Sequence, residues 1–173
     1  MKHFLFTLFL LLNGSWTFAQ TGSQLNDSTH TPTHSVYLEI GGAGGYGSIN
    51  YEQQLFKKKD WILAARIGLS TYHLKDYRTK FNPDVLIPLT AKLFYGNTHK
   101  AEIGIGETIA STVHANEADF KPKRVINFHT HFSFGYRYQP AGTGILIGVA
   151  YTPILEFNHS IRHWASVSLG YSF

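Results

Sequence analysis

Cysteine is absent from all 173 residues, which excludes a disulfide framework and a lipid-modified cysteine anchor. Stability has to come from packing and hydrogen bonding alone. Charge is scarce as well: Asp, Glu, Lys and Arg make up 15% of the chain, and the net charge of +4 comes from scattered Lys and Arg with no basic run. Nucleic-acid binding needs a concentrated cationic footprint, so that class of partner is excluded. Long apolar runs are missing too. The most apolar stretch, Phe4 to Leu12, has about nine residues, against the roughly 20 that a membrane-spanning helix requires.

That stretch follows Lys2 and His3 and precedes Thr17-Phe18-Ala19 and Gln20, the layout of a secretory signal with a small-x-small cleavage site. Residues 1–19 are read as a signal peptide cleaved near Ala19, in preference to an uncleaved anchor. Residues 20–34 are rich in Ser, Thr, Asn and Asp and contain Pro32, too polar to bury themselves, and are expected to form a flexible periplasmic lead-in. His30 and His34 within it are expected to be solvated. What remains, residues 35–173, is one domain's worth of chain.

Aromatic residues and glycine are abundant in that domain, and its apolar residues recur every second position. Side chains of a strand alternate between faces, so such spacing gives one apolar and one small or polar face. Eight segments show it: Val36 to Gly42, Gly47 to Phe56, Trp61 to Tyr72, Val85 to Tyr95, Ala101 to Val113, Val125 to Tyr138, Gly144 to Glu156 and Ala165 to Phe173. The last is the clearest. Ala165, Val167, Leu169, Tyr171 and Phe173 share one face, and Ser166, Ser168, Gly170 and Ser172 the other. An even number of strands, each with an apolar face opposite a crowded polar one, predicts an all-β fold: an eight-stranded antiparallel up-and-down transmembrane β-barrel.

Connection lengths agree with that topology. Outer-membrane barrels have short periplasmic turns and longer outer loops. With both termini periplasmic, the inner turns are Lys57 to Asp60, Gly96 to Lys100 and Gln139 to Thr143, and the outer loops are Leu74 to Asp84, His114 to Lys123 and Asn158 to His163. The first outer connection, Gly42 to Tyr46, is short and departs from the pattern. Trp61, Tyr95, Tyr136, Tyr138, Tyr171 and Phe173 all fall at periplasmic strand ends, where amphipathic rings form an interfacial girdle. A soluble barrel would place the same aromatics inside, as core.

The segments Glu39-Ile40-Gly41-Gly42, Ser48-Ile49-Asn50-Tyr51-Glu52, Gly135-Tyr136-Arg137-Tyr138-Gln139-Pro140, Tyr151-Thr152-Pro153 and Gly170-Tyr171-Ser172-Phe173 resemble those of the small, mostly uncharacterised outer-membrane β-barrel proteins of Gram-negative bacteria. The likeness covers most of residues 35–173. It implies an outer-membrane location, contact with outer-membrane lipid and lipopolysaccharide, and recognition of the terminal strand, Tyr171 and Phe173 included, by the barrel-insertion machinery during assembly.

Chemistry has to be sought among the inward residues. Glu39, Glu52 and Glu102 share the interior with Arg66, Lys92 and Arg137, three acids and three bases that can pair as a structural polar plug. Eight strands enclose a space that side chains just fill, which leaves no wide channel, although a narrow ion path stays conceivable. His129 and His131 share a face two residues apart. They are expected to hydrogen-bond with Asn127 or Ser133; a metal site lacks a third ligand at any telling spacing. His131-Phe132-Ser133 also has the His-x-Ser spacing seen in barrel lipases that deacylate lipopolysaccharide, yet no acid partner is evident and both side chains point away from lipid. Pro88 and Pro153 are expected at bulges or at the outer rim. The reading is a structural or surface-interaction barrel without catalytic residues, cofactor or metal, its surface ligand unspecified; a lipid-modifying hydrolase and a narrow-pore transporter are the alternatives.

Fractionation with the outer membrane and a gel band that shifts on heating are the expected outcomes for the expressed protein. Recovery as soluble periplasmic protein contradicts this reading. Deleting Phe173, or Tyr171→Asp with Phe173→Asp, should lower the amount of heat-modifiable barrel, because it removes interfacial aromatics and the assembly pattern together.

Overall fold

The computed structural model describes residues 33–76, 78–115, 122–156 and 160–173. The expected signal peptide and most of the lead-in lie outside the described residues. Eight strands follow one another: β1 (His34–Gly41), β2 (Gly47–Lys58), β3 (Trp61–Ser70), β4 (Val85–Gly96), β5 (His99–Ala115), β6 (Pro122–Tyr138), β7 (Gly144–Glu156) and β8 (Arg162–Ser172). Each pairs antiparallel with the next, and β8 pairs with β1 to close the barrel. Crossing from partner to partner, Trp61 leads through Tyr95, Ala101, Tyr136, Val149, Val167 and Ile40 to Gly47. Gly47 lies beside Ser48, the partner of Ser70, so the circuit returns to the outer end of β3 and not to Trp61. The strands are therefore tilted steeply to the barrel axis.

The faces fall as the alternation predicts. Leu38, Ile40, Ile49, Ile67, Leu69, Ile103, Ile105, Val149, Val167 and Leu169 are exposed on the outer wall, and so are all six expected girdle aromatics. Glu39, Glu52, Arg66, Thr90, Lys92, Ser166 and Ser168 are buried between them. An apolar outside around a polar inside suits lipid and not water, which excludes the inside-out soluble alternative. In β2 the register shifts between Gln54 and Phe56. This bulge at Leu55 turns Phe56 outward as well, so two consecutive apolar side chains face out near the periplasmic end.

Strand limits differ from the expected ones for identifiable reasons. β5 and β6 run beyond Val113 and Val125, pairing Ala115 with Pro122. That extension stands past the apolar band, so it carries no alternating signature. β1 starts at His34, whose N–H donates to the Phe173 carbonyl at 3.1 Å and whose Nδ1 lies 2.7 Å from the Tyr51 hydroxyl. His34 is thus part of the wall and its lower girdle, a correction to the solvated lead-in expected for it.

Of the two positions expected for the prolines, a bulge or the outer rim, the bulge is not what the ladders show. Pairing of β3 with β4 stops after Ile67↔Leu89 and resumes in unchanged register at Ser70↔Leu86. Pro88 sits in that interval with its ring buried, and Gly68 on β3 supplies the room, since a Cβ there would collide with Asn50 Oδ1 and Pro88 Cγ. The β6–β7 ladder is interrupted likewise between His131↔Ile154 and Phe134↔Tyr151, the interval that contains Pro153. Neither proline makes a bulge; each omits pairs from one ladder while the other ladder continues.

The short first outer connection turns inward. Gly41, Gly42 and Gly45 take positive φ of 80°, 73° and 75°, which only glycine adopts without strain, and a single 3-10 turn spans Gly42–Gly44. Ala43 is buried and its carbonyl accepts from Thr108 Oγ1 at 3.2 Å; the Gly44 carbonyl accepts from Ser70 Oγ at 2.6 Å. The turn fills the outer mouth of the barrel.

Leu89→Arg, on the outer face of β4, should cost roughly 2 to 4 kcal/mol in a bilayer. A urea titration of the folded band in vesicles measures it. Tolerance of Leu89→Arg together with collapse on Thr90→Leu is the outcome that contradicts the assigned faces.

Candidate functional site

Three strands bring the first ion pair together. Arg66 on β3 donates to both oxygens of Glu39 on β1, its Nη2 at very short range, and its Nε donates to Asn50 Oδ1 on β2 at 2.9 Å. The second group is built around Arg137 on β6. Its guanidinium holds Glu52 at 2.5 and 3.2 Å and reaches Glu102 at 3.3 Å, while Lys92 Nζ donates to Glu102 at 2.9 Å. Every expected inward acid and base is buried and paired. Charged hydrogen bonds of this kind offset desolvation, and removing one partner strands the other.

Tyr37, on the inward face of β1, stands between these groups. Its hydroxyl donates to Glu52 Oε2 at 3.3 Å, and its ring lies 5.8 Å from the Arg66 and Lys92 cations and 5.2 Å from that of Arg137. The Phe94 ring covers the Arg137 guanidinium at 4.5 Å. Such faces attract cations where water is excluded. They compensate for Arg137 Nε, which has no hydrogen-bond partner among the described residues.

Lys100, which sequence reasoning assigned to a turn, belongs to the interior as well. It donates to Gln139 Oε1 at 2.9 Å; Gln139 Nε2 donates to Ser172 Oγ at 2.8 Å, and Ser172 Oγ lies 3.0 Å from Ser35 Oγ. This chain spans the periplasmic mouth. The available signal was parity, since Lys100 lies two residues before inward Glu102. Among the described residues, two voids of about 10 Å³ each are found at the lumen ends, one lined by Glu52, Phe94, Lys100 and Gln139, the other by Ala43, Thr108, His129 and Trp164. A void of that size admits a single water. Between them lie the buried side chains of Tyr37, Arg66 and Arg137.

The histidines part company. His131 is held by Thr90 Oγ1 at 2.9 Å on Nε2 and by Thr108 Oγ1 at 3.3 Å on Nδ1, partners on β4 and β5 that replace the expected Asn127 or Ser133. His129 Nδ1 and Ser133 Oγ are buried without a partner among the described residues. A nucleophile needs its base within hydrogen-bond reach, and His131 spends both nitrogens elsewhere, so the His-x-Ser spacing builds no catalytic pair. Among the described residues no three His, Asp or Glu side chains converge on a possible metal position. On the outer wall, Glu107 falls on the same face of β5 as Ile103 and Ile105, breaking its apolar run, and accepts from Thr130 Oγ1 at 3.0 Å.

Several cations stand at the outer end. Arg124 is a tie: it donates to Asn82 Oδ1 at 2.6 Å, to the Pro83 carbonyl at 3.1 Å and to Ser111 Oγ at 3.1 Å. His163 Nδ1 lies 2.5 Å from the Tyr151 hydroxyl. Lys75, Arg78, Lys80 and Lys123 are exposed, whereas Tyr77, Glu117, Asp119 and Lys121 lie outside the described residues.

Solved structures share this architecture. The N-terminal β-barrel domain of OprF from Pseudomonas aeruginosa matches with a TM-score of 0.53 at 16% identity, over 80% of this chain and 97% of that one. The outer membrane protein Ail of Yersinia pestis, in a phospholipid nanodisc, matches with a TM-score of 0.51 at 9% identity, over 82% and 99%. The fold is that of a small outer-membrane β-barrel. No family model matches the chain, and no curated protein matches it in sequence.

Arg137→Met leaves Glu52 and Glu102 short of a partner and should destabilise the barrel by about 3 to 5 kcal/mol. Adding Glu52→Gln should recover part of that loss. The urea midpoint of the heat-modifiable band reads both.

Proposed function

We propose that the protein is a resident of the outer membrane with a structural and surface-directed role, and that its outer loops attract anionic groups, above all the phosphates of lipopolysaccharide. The observation that carries this reading is the filled lumen: ion pairs occupy its middle, a glycine turn its outer mouth and a hydrogen-bonded chain its periplasmic mouth. With the inside occupied, interaction is left to the wall and the outer end. The exposed cations there, Arg78 and Lys80 between β3 and β4 and Lys123 at the start of β6, favour an anionic partner by an attraction that salt screens. Export through the signal peptide and insertion by the barrel-assembly machinery complete the reading, with no cofactor assigned.

Neutralising Arg78, Lys80, Lys121 and Lys123 together should weaken binding of lipopolysaccharide at low ionic strength while the heat-modifiable band persists. Unchanged binding by an assembled variant removes the electrostatic role. Planar bilayers should show no steady conductance; a stable open level contradicts the filled lumen.

A further inference from the structure

The loop between β3 and β4 does not rise clear of the barrel. It folds into a small hairpin, with Lys75 paired to Phe81 and the Asn82 N–H donating to the Leu74 carbonyl at 3.3 Å, that leans over the outer wall of β1, β2 and β3. Ties hold it from behind: Asp84 accepts the Val113 N–H at 2.9 Å, and Arg124 holds Asn82 and Pro83. Under it lies a groove of about 610 Å³ walled by Leu38, Ile40, Ile49, Leu69, Leu74 and Phe81. A second depression of about 270 Å³ adjoins it, sharing Ile49 and Leu69 and continuing to Tyr51, Ile67 and Ile87. The continuation runs along the interval where Pro88 interrupts pairing between β3 and β4.

This trough is apolar along its length and continuous with the lipid-facing wall. Its upper end carries one cation on the groove side: Lys75 shares a face with its partner Phe81, whereas Lys80, one residue from Phe81, lies across the hairpin from Asp76, whose carboxylate accepts the Lys80 N–H at 3.1 Å. The acids that border the groove, Glu39 and Asp84, are buried and engaged, Glu39 by Arg66 and Asp84 by the Val113 N–H. Phe81 is 78% exposed, an apolar ring that no other described residue covers. An apolar slot under a cationic rim fits an amphiphile with an anionic head and an alkyl chain, and the lipid of the outer leaflet is lipopolysaccharide.

We propose that the trough beneath the β3–β4 hairpin seats one acyl chain of an outer-leaflet lipopolysaccharide, whose phosphate meets Lys75 at its rim. This rests on the outward-directed reading above and adds to it a specific lipid site. The hairpin is already fixed by Asp84 and Arg124, so the chain enters a formed slot and little ordering opposes it.

The test uses the full chain folded into phosphatidylcholine nanodiscs doped with lipid A, with retained lipid A counted by native mass spectrometry. Ile49→Trp with Leu74→Trp fills the slot with side chains that lipid tolerates, and is expected to reduce retention roughly tenfold, a change of about 1.4 kcal/mol. Lys75→Gln is expected to reduce it too and to weaken its salt dependence. Loss with Lys75→Gln alone overturns the acyl seat and leaves the electrostatic reading standing; loss with neither overturns the proposal. Equal retention of phosphatidylglycerol at the same fraction overturns the assignment to lipopolysaccharide. Independently of how the tryptophan variant folds, a benzophenone amino acid replacing Phe81 should photolabel an acyl chain of lipid A, and labelling of the sugar or of nothing overturns the proposal.

Discussion

A charge enclosed by an eight-stranded wall has little water to turn to, and the rest of this structure depends on how that constraint is met. Arg66 and Glu52 are direct partners across β2 and β3, the obvious pair. They do not pair. Arg66 reaches over to Glu39 on β1, and Glu52 is taken by Arg137 from the far side of the lumen. Bonds of this kind join strands that are not neighbours in the ladder, so they brace the barrel across its width where backbone pairing braces it only around the circumference. Tyr37 lies within reach of both groups, and its flat ring fills space that a further ion pair would have to desolvate.

The same constraint explains what was legible in the sequence. Lipid outside and paired polar groups inside select opposite residue types at alternate positions, so faces, strand number and girdle could be read from spacing alone. Which acid meets which base could not, because Arg66 and Glu39 are brought together by tilt and closure, quantities that no local pattern records. Lys100 was missed for a related reason: it lies at a strand end, where a turn assignment competes with parity. His34 was misread because a polar lead-in and the first rung of a girdle have the same composition until Tyr51 and Phe173 are placed beside it.

Glycine at the outer mouth completes the closure. A connection from β1 to β2 that kept ordinary backbone angles would not turn back over the lumen. Positive φ at Gly41, Gly42 and Gly45 lets it fold back, and Thr108 and Ser70 satisfy two of its carbonyls inside. Buried backbone carbonyls need such partners, and these come from β5 and β3. The turn thus completes the polar interior from above, while Lys100, Gln139 and Ser172 complete it from below.

Closure also dictates where the wall can be irregular. An open sheet hides a proline on an edge strand, but a closed barrel has no edge, so the missing donor of Pro88 must be absorbed within the wall. Inside, Gly68 leaves room for the proline ring, and Asn50, packed against both, is held by its own bond from Arg66. The ionic network therefore supports the place where the ladder is weakest. Outside, no comparable support exists. The omitted pairs leave a dent between β3 and β4 at the level of Leu69 and Ile87, and the hairpin that leans over from the following loop deepens it into a slot. A feature of the lipid-facing surface is in this way set by how polar residues pack on the other side of the same strands.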